Sequence, residues 1–140
     1  ANDVRIKLNP VTAVVSGKRV VMVDDSIVRG TTCARIVKLL RDAGATEVHM
    51  RVTAPPFVNA CYFGTDIDSP ESLIAANREP DEIAKLIGAD SLGYLGLDCV
   101  KKLGDELGIG FCDACFSGNY PIKPLSPDRK SKFERKIASE

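Results

Sequence analysis

Apolar and polar positions along this 140-residue chain change period several times, and each change predicts an element. Residues 12–16, TAVVS, and 19–23, RVVMV, are β-branched runs separated by Gly17-Lys18. They predict two strands joined by a tight turn. Across residues 32–43 the apolar positions are Cys33, Ile36, Val37, Leu40 and Ala43, with Arg35, Lys38, Arg41 and Asp42 on the opposite side. That is a helical period, and Gly44 supplies the stop. Residues 47–53, EVHMRVT, alternate and predict a strand, which Pro55-Pro56 ends. Residues 19–53 therefore predict strand, loop, helix, strand. This is a βαβ unit, normally right-handed and part of a parallel sheet with helices on its faces.

A second cycle is fainter. Ser69-Pro70-Glu71 has the form of an N-cap with proline at the first helical position, which predicts a short helix to about Asn77. Residues 81–87 predict another short helix, 91–95 a last strand and 98–107 a last helix. Then come Gly108-Ile109-Gly110, a Cys112-x-x-Cys115 pair and the proline-punctuated stretch YPIKPLSPDRK. The last ten residues are rich in charge and are expected to fray. No internal repeat is visible. Three or four parallel strands are few for a doubly wound domain. The expected fold class is an α/β parallel sheet with flanking helices, incomplete at its N-terminal side. The expected division is 1–107 for the sheet part and 108–140 for a cysteine-containing segment and tail.

Composition narrows the function classes. Lys plus Arg and Asp plus Glu both number 19, so the formal net charge is zero. Nothing global attracts the chain to nucleic acid or to an anionic membrane. No apolar run approaches the roughly 18 residues that a membrane helix needs. The first ten residues, ANDVRIKLNP, lack the apolar core of a signal peptide. A cytoplasmic protein without membrane or nucleic-acid partners is expected, and Ala1 in place of Met suggests a processed or truncated piece. There are five cysteines. An odd count without an export signal does not predict a disulfide framework.

The stretch with the most chemistry is VVMVDDSIVRGTT, residues 20–32. In open α/β sheets the ligand crevice lies at the C-terminal ends of the strands, where Asp24 and Asp25 fall. The following residues lead to a helix N-terminus, whose free N–H groups and dipole suit a phosphate monoester. Gly30 lets the backbone curl close, and Ser26, Thr31 and Thr32 bring hydroxyl donors. Two carboxylates beside a phosphate cradle suit a phosphorylated sugar. The acids would accept from vicinal ribose hydroxyls or hold Mg²⁺. The plainer alternative is a threonine-capped helix after a strand that happens to end in acids. The spacing fits neither a Walker A loop nor a G-x-G-x-x-G fingerprint.

The same stretch resembles the phosphoribosyl pyrophosphate signature of the phosphoribosyltransferases. In the form DDSIVRGTT it is similar to the glutamine phosphoribosylpyrophosphate amidotransferases. The similarity extends through VRIKLNPV, LLRDAGATEVHMRVTAPP, CYFGTDI, LIAANREPDEIAKLIGADSLGYL and FCDACFSGNYP. The resemblance implies a type I phosphoribosyltransferase-like sheet, with residues 1–107 as the C-terminal part of that domain. It implies that Asp24 and Asp25 contact the ribose hydroxyls and Mg²⁺. It implies that Ser26, Ile27, Val28, Arg29, Gly30, Thr31 and Thr32 wrap the 5′-phosphate, with Arg29 adding charge or turning to a neighbouring subunit or domain. The family's reaction joins glutamine-derived ammonia to phosphoribosyl pyrophosphate and gives 5-phosphoribosylamine and pyrophosphate. Purine nucleotides as inhibitors and a homo-oligomeric assembly are implied on the same basis. The family's glutaminase domain, pyrophosphate-binding loop and closing loop have no counterpart in these 140 residues. The fragment alone is therefore expected to be inactive, and no catalytic residue is assigned.

Taken by themselves, Cys112 and Cys115 suit half a zinc site, half an iron–sulfur site or a dithiol. A thioredoxin-type pair would instead open a helix just after a strand. His49, the single histidine, falls inside a strand pattern and suits a half-buried or surface position. One branch of the resembled family carries a 4Fe–4S cluster on four cysteines. By that resemblance Cys61, Cys112 and Cys115 match three of them, and the fourth lies upstream of this sequence. Cys33 and Cys99 are expected to be structural. Two rivals remain: a salvage phosphoribosyltransferase, and a non-catalytic domain that senses phosphoribosyl pyrophosphate. The first needs a base-recognition segment, and the second favours a basic partner surface. The cysteine segment suits neither. A metal-stabilised module without a small ligand would leave the acid pair unexplained.

Overall fold

The structure, a computed structural model, describes residues 9–65, 67 and 70–122. The expected Ser69 cap and the charged tail lie outside these residues. The βαβ unit forms as the sequence predicts. β1 (Arg19–Asp24) leads into a helix over Thr31–Asp42, and β2 (Glu47–Val52) returns beside β1. The two strands are parallel, in a register running from Arg19 opposite Glu47 to Asp24 opposite Val52. β3 (Ser91–Tyr94) joins the other edge of β2, also parallel, and the spatial order is β1-β2-β3. All three strands point the same way, so Asp24, Val52 and Tyr94 end on one rim of the sheet.

The stretch TAVVS is not a strand. Thr12–Val15 form one helical turn, α1, which makes the Thr31–Asp42 helix α2. β-branched residues favour strands only weakly where no partner strand is present. Here a single turn buries Val15 against Val37, Ala45 and Val48, while Val11 and Val14 stay exposed. Gly17 sits at φ 71° and donates its N–H to Gly44 O. It thus ties the turn to the loop after α2 and makes no hairpin.

One face of the sheet is the core. Val48, Met50 and Val52 of β2 are buried together with Leu92 of β3. Met50, Val52 and Leu92 pack against Ile27, Cys33 and Ile74, and against α3 (Pro80–Ile87) through Ile83, Ala84 and Ile87. Each fully buried aliphatic side chain contributes about 1.5–3 kcal/mol. α3 starts on a capping box between Glu79 and Glu82 with Pro80 in its first turn, and stops at Gly88. The opposite sheet face is polar across β2 and β3. There His49 is half-buried, as expected, between Ser91 Oγ at 2.9 Å and Glu47 Oε2 at 2.8 Å.

The helix expected from 69 to 77 is only a 3-10 turn over Pro70–Ser72. Leu73, Ile74 and Ala75 are buried one after another, and no single helix face can bury three consecutive residues. Ile74 N–H instead donates to Val28 O at 2.9 Å, which docks this segment on the loop after β1. α4 (Leu97–Leu107) and a short α5 (Ala114–Ser117) complete the described chain. α5 returns to the loop after β2. Val58 and Asn59 N–H groups donate to Cys115 O at 3.1 and 3.0 Å, and the Phe57 and Phe116 rings lie 4.8 Å apart.

Candidate functional site

A cleft of about 530 Å³ opens at the C-terminal end of β1, lined by residues 24–33. It gathers every residue of the acid pair and loop that the sequence singles out. β1 ends with Asp24 half-buried and Asp25 exposed. Thr53 N–H and Oγ1 both donate to Asp24 O, at 3.0 and 3.3 Å, so the ends of β1 and β2 are tied where the ligand would approach.

The acids are organised by short local contacts. Asp25 N–H donates to Asp24 Oδ1 at 3.0 Å, and Ser26 Oγ donates to Asp25 Oδ1 at 2.8 Å. Cys33 Sγ lies 3.8 Å from Asp24 Oδ2 as a donor from the first turn of α2. Carboxylate oxygens retain further lone pairs, so both acids can still accept from hydroxyls or coordinate a hard cation.

The loop between them is pinned from below. Ile27 is 2% exposed in the main core, and Val28 packs toward Phe57, Ile67 and Leu73. Their side chains are therefore anchors, and only their backbone is left to a ligand. Gly30 takes φ 76°, and a Cβ there would stand 2.6 Å from Ile74 Cδ1. Only glycine holds that left-handed conformation in so close a space. The N-cap of α2 is Gly30, which has no side chain to cap it. The N–H groups of its first turn are left to an incoming anion, with Thr31 and Thr32 exposed beside them.

The three cysteines singled out for a cluster lie on the loop after β2 and around α5. Cys61 is half-buried on the loop after β2, Cys112 is exposed before α5, and Cys115 is half-buried within it. Cys115 follows no strand, so the pair lacks the thioredoxin arrangement. Burial is the largest influence on Cys61 and raises its pKa. The N–H groups of Gly64, Phe63 and Thr65 and the Thr65 hydroxyl together outweigh it and bring the thiol down to about 7. Thr65 N–H stands 3.4 Å from the sulfur. Cys115 is pushed up, first by burial and then by Cys61. The three sulfurs are thus electrostatic neighbours. Among the described residues, however, no three His, Cys, Asp or Glu side chains are gathered closely enough to hold a metal ion. The donor set fits a thiophilic centre in chemistry, being soft ligands with one readily ionised, while its spacing is open. Cys33 is buried in the core as expected, whereas Cys99 on α4 is exposed.

The chain is similar to known proteins over most of its length. A chloroplastic amidophosphoribosyltransferase of Glycine max is 55% identical over 121 residues, 86% of this chain and 21% of that protein. The Synechococcus elongatus amidophosphoribosyltransferase is 50% identical over 130 residues, 93% of this chain and 26% of that one. A solved glutamine phosphoribosylpyrophosphate amidotransferase of Bacillus subtilis, complexed with ADP and GMP, superimposes with a TM-score of 0.74 at 48% identity. The match covers 86% of this chain and 27% of that one. This chain is a homologue of the amidophosphoribosyltransferases. No protein-family model matches it. It spans between a fifth and about a quarter of the length of these relatives. Its three-stranded parallel sheet with flanking helices matches the phosphoribosyltransferase-like fold of the amidotransferase structures. Plant relatives are chloroplastic by name, and among the described residues no helix is long and apolar enough to cross a membrane.

Proposed function

We propose that this amidophosphoribosyltransferase homologue binds the ribose 5-phosphate end of phosphoribosyl pyrophosphate in the cleft after β1. The whole protein would join glutamine-derived ammonia to that substrate, releasing pyrophosphate and forming 5-phosphoribosylamine, the first step of purine synthesis. The observation that carries this reading is the juxtaposition of Asp24 and Asp25 with the uncapped first turn of α2 around one cleft.

In this reading the Ser26–Thr32 backbone and the Ser26, Thr31 and Thr32 hydroxyls donate to the 5′-phosphate. Asp24 and Asp25 accept from the ribose hydroxyls, which fixes the sugar ring with its C1 toward the incoming ammonia. Mg²⁺, held by the same carboxylates, would offset the charge of the pyrophosphate leaving group. Positioning by the rim of the sheet is then this segment's main contribution to rate. Cys61, Cys112 and Cys115 would hold a 4Fe–4S cluster with a fourth ligand from outside these residues. Such a cluster would add structural cross-linking between the loop after β2 and α5. Regulation by purine nucleotides accords with the complex of the Bacillus subtilis relative with ADP and GMP, and a homo-oligomeric assembly is part of the same proposal.

Calorimetric titration of the full-length protein carrying this chain, with phosphoribosyl pyrophosphate and Mg²⁺, tests the reading. Saturable binding is expected, weakened at least about tenfold by Asp24→Asn and by Thr32→Val, since each lost charge-assisted hydrogen bond costs about 1.5–3 kcal/mol. Binding indifferent to both substitutions would sink it.

A further inference from the structure

Asp24 is not oriented by its own strand alone. Asp25 N–H donates to its Oδ1, and Cys33 S–H, reaching from the first turn of α2, donates to its Oδ2. Cys33 is 3% exposed.

A second observation places the thiol in apolar surroundings beneath the carboxylate. Tyr94 ends β3 on the same rim, and its hydroxyl is buried without a hydrogen-bond partner in the described structure. Tyr94 packs against the same core cluster that contains Cys33, Met50 and Ile83. In such buried, apolar surroundings even a weak S–H donor matters, because the low local dielectric strengthens its hydrogen bond.

We propose that Cys33 is a positioning residue for Asp24, whose carboxylate it holds from below, through Oδ2, in the pose that the ribose hydroxyls or Mg²⁺ meet. The inference rests on the reading of Asp24 as a ligand-binding carboxylate. The Cys33 thiol acts on the ligand through Asp24. Its other duty is packing, since it belongs to the main core with Met50, Val52 and Ile83. The test must separate those two duties.

Three variants of the full-length protein do so. Cys33→Ser keeps a donor, Cys33→Ala removes it and leaves space, and Cys33→Val removes it and fills the space. Affinity for phosphoribosyl pyrophosphate and the Mg²⁺ concentration at half-saturation are measured, with thermal denaturation alongside. The Ala and Val variants are expected to lose about 3–10-fold in affinity and to need more Mg²⁺, as loss of one hydrogen bond of about 0.5–1.5 kcal/mol implies. Cys33→Ser is expected within about twofold of the parent, because its hydroxyl restores a donor. In an Asp24→Asn background the Ala substitution is expected to have no further effect on binding, the signature of a coupled pair. Equal losses in Ser and Ala, or an undiminished loss in the Asp24→Asn background, would overturn the proposal. Should Asp24→Asn weaken binding while both Cys33→Ala and Cys33→Val do not, the Cys33 role alone falls. Should Asp24→Asn leave affinity and Mg²⁺ demand unchanged, the parent reading falls with it.

Discussion

At the scale of single residues, chemistry here is set by which donors surround a side chain. Cys33 and Cys61 have the same thiol and opposite fates. Cys33 is raised to about 11 by burial and the Asp24 charge, whereas N–H groups around Cys61 bring it to about 7. A cysteine reacts as its thiolate. In metal-stripped protein, alkylation of Cys61 is therefore expected to speed up as pH rises from about 6 to 8 and then level off, because the thiolate fraction saturates above its pKa. Cys33 is expected to stay unmodified until the chain unfolds. Peptide mapping after timed iodoacetamide labelling at several pH values reads both, and early labelling of Cys33 in folded protein would contradict the assignment. The contrast is not legible in the sequence. Cys33 reads there only as a small apolar residue on a helix, and the three N–H groups around Cys61 belong to a loop without a periodic pattern.

Elements were legible where period and packing agree. The change from alternation in β1 to a 3.6-residue period in α2 and back in β2 reflects real burial, and the predicted bounds lie within a residue of the observed ones. Legibility failed in TAVVS and in residues 73–75, where local pattern gave way to long-range contacts with Gly44 and Val28. The acid pair was legible because it interrupts an apolar run at a strand end. The anchoring of its loop by Ile27 and Val28 was not. Gly30 links the two levels. Its left-handed φ of 76° and the 2.6 Å approach to Ile74 Cδ1 both argue against any side chain. Gly30→Ala is expected to destabilise the fold by at least about 1–2 kcal/mol from the backbone conformation alone. It should also weaken phosphate-sugar binding, since the turn that aims the α2 N–H groups must open. Chemical denaturation together with the titration described above checks both, and an unchanged midpoint would refute the account.

For the whole molecule the decisive feature is asymmetry. One sheet face is covered by α2 and α3, and β2 is paired on both sides. β1 is paired on one side only among the described residues, and its outward face carries Val21 at 61% and Val23 at 65% exposure. A strand edge with free N–H and C=O groups beside exposed valines is a template for another strand. The 140-residue chain, prepared alone, is therefore expected to self-associate through β1 in a concentration-dependent way. A charge on this strand opposes edge pairing, and because Val21 lies outside the core, Val21→Lys should cost the fold within about 0.5 kcal/mol. Sedimentation velocity over a tenfold range of concentration should show the parent chain shifting to larger species and Val21→Lys holding as monomer with an unaltered circular dichroism spectrum. In a longer protein carrying these residues, a strand laid along β1 would suppress the same association. Equal association of the parent chain and the Val21→Lys chain would locate the sticky surface elsewhere, and the next place to substitute is the exposed Leu103 and Leu107 of α4.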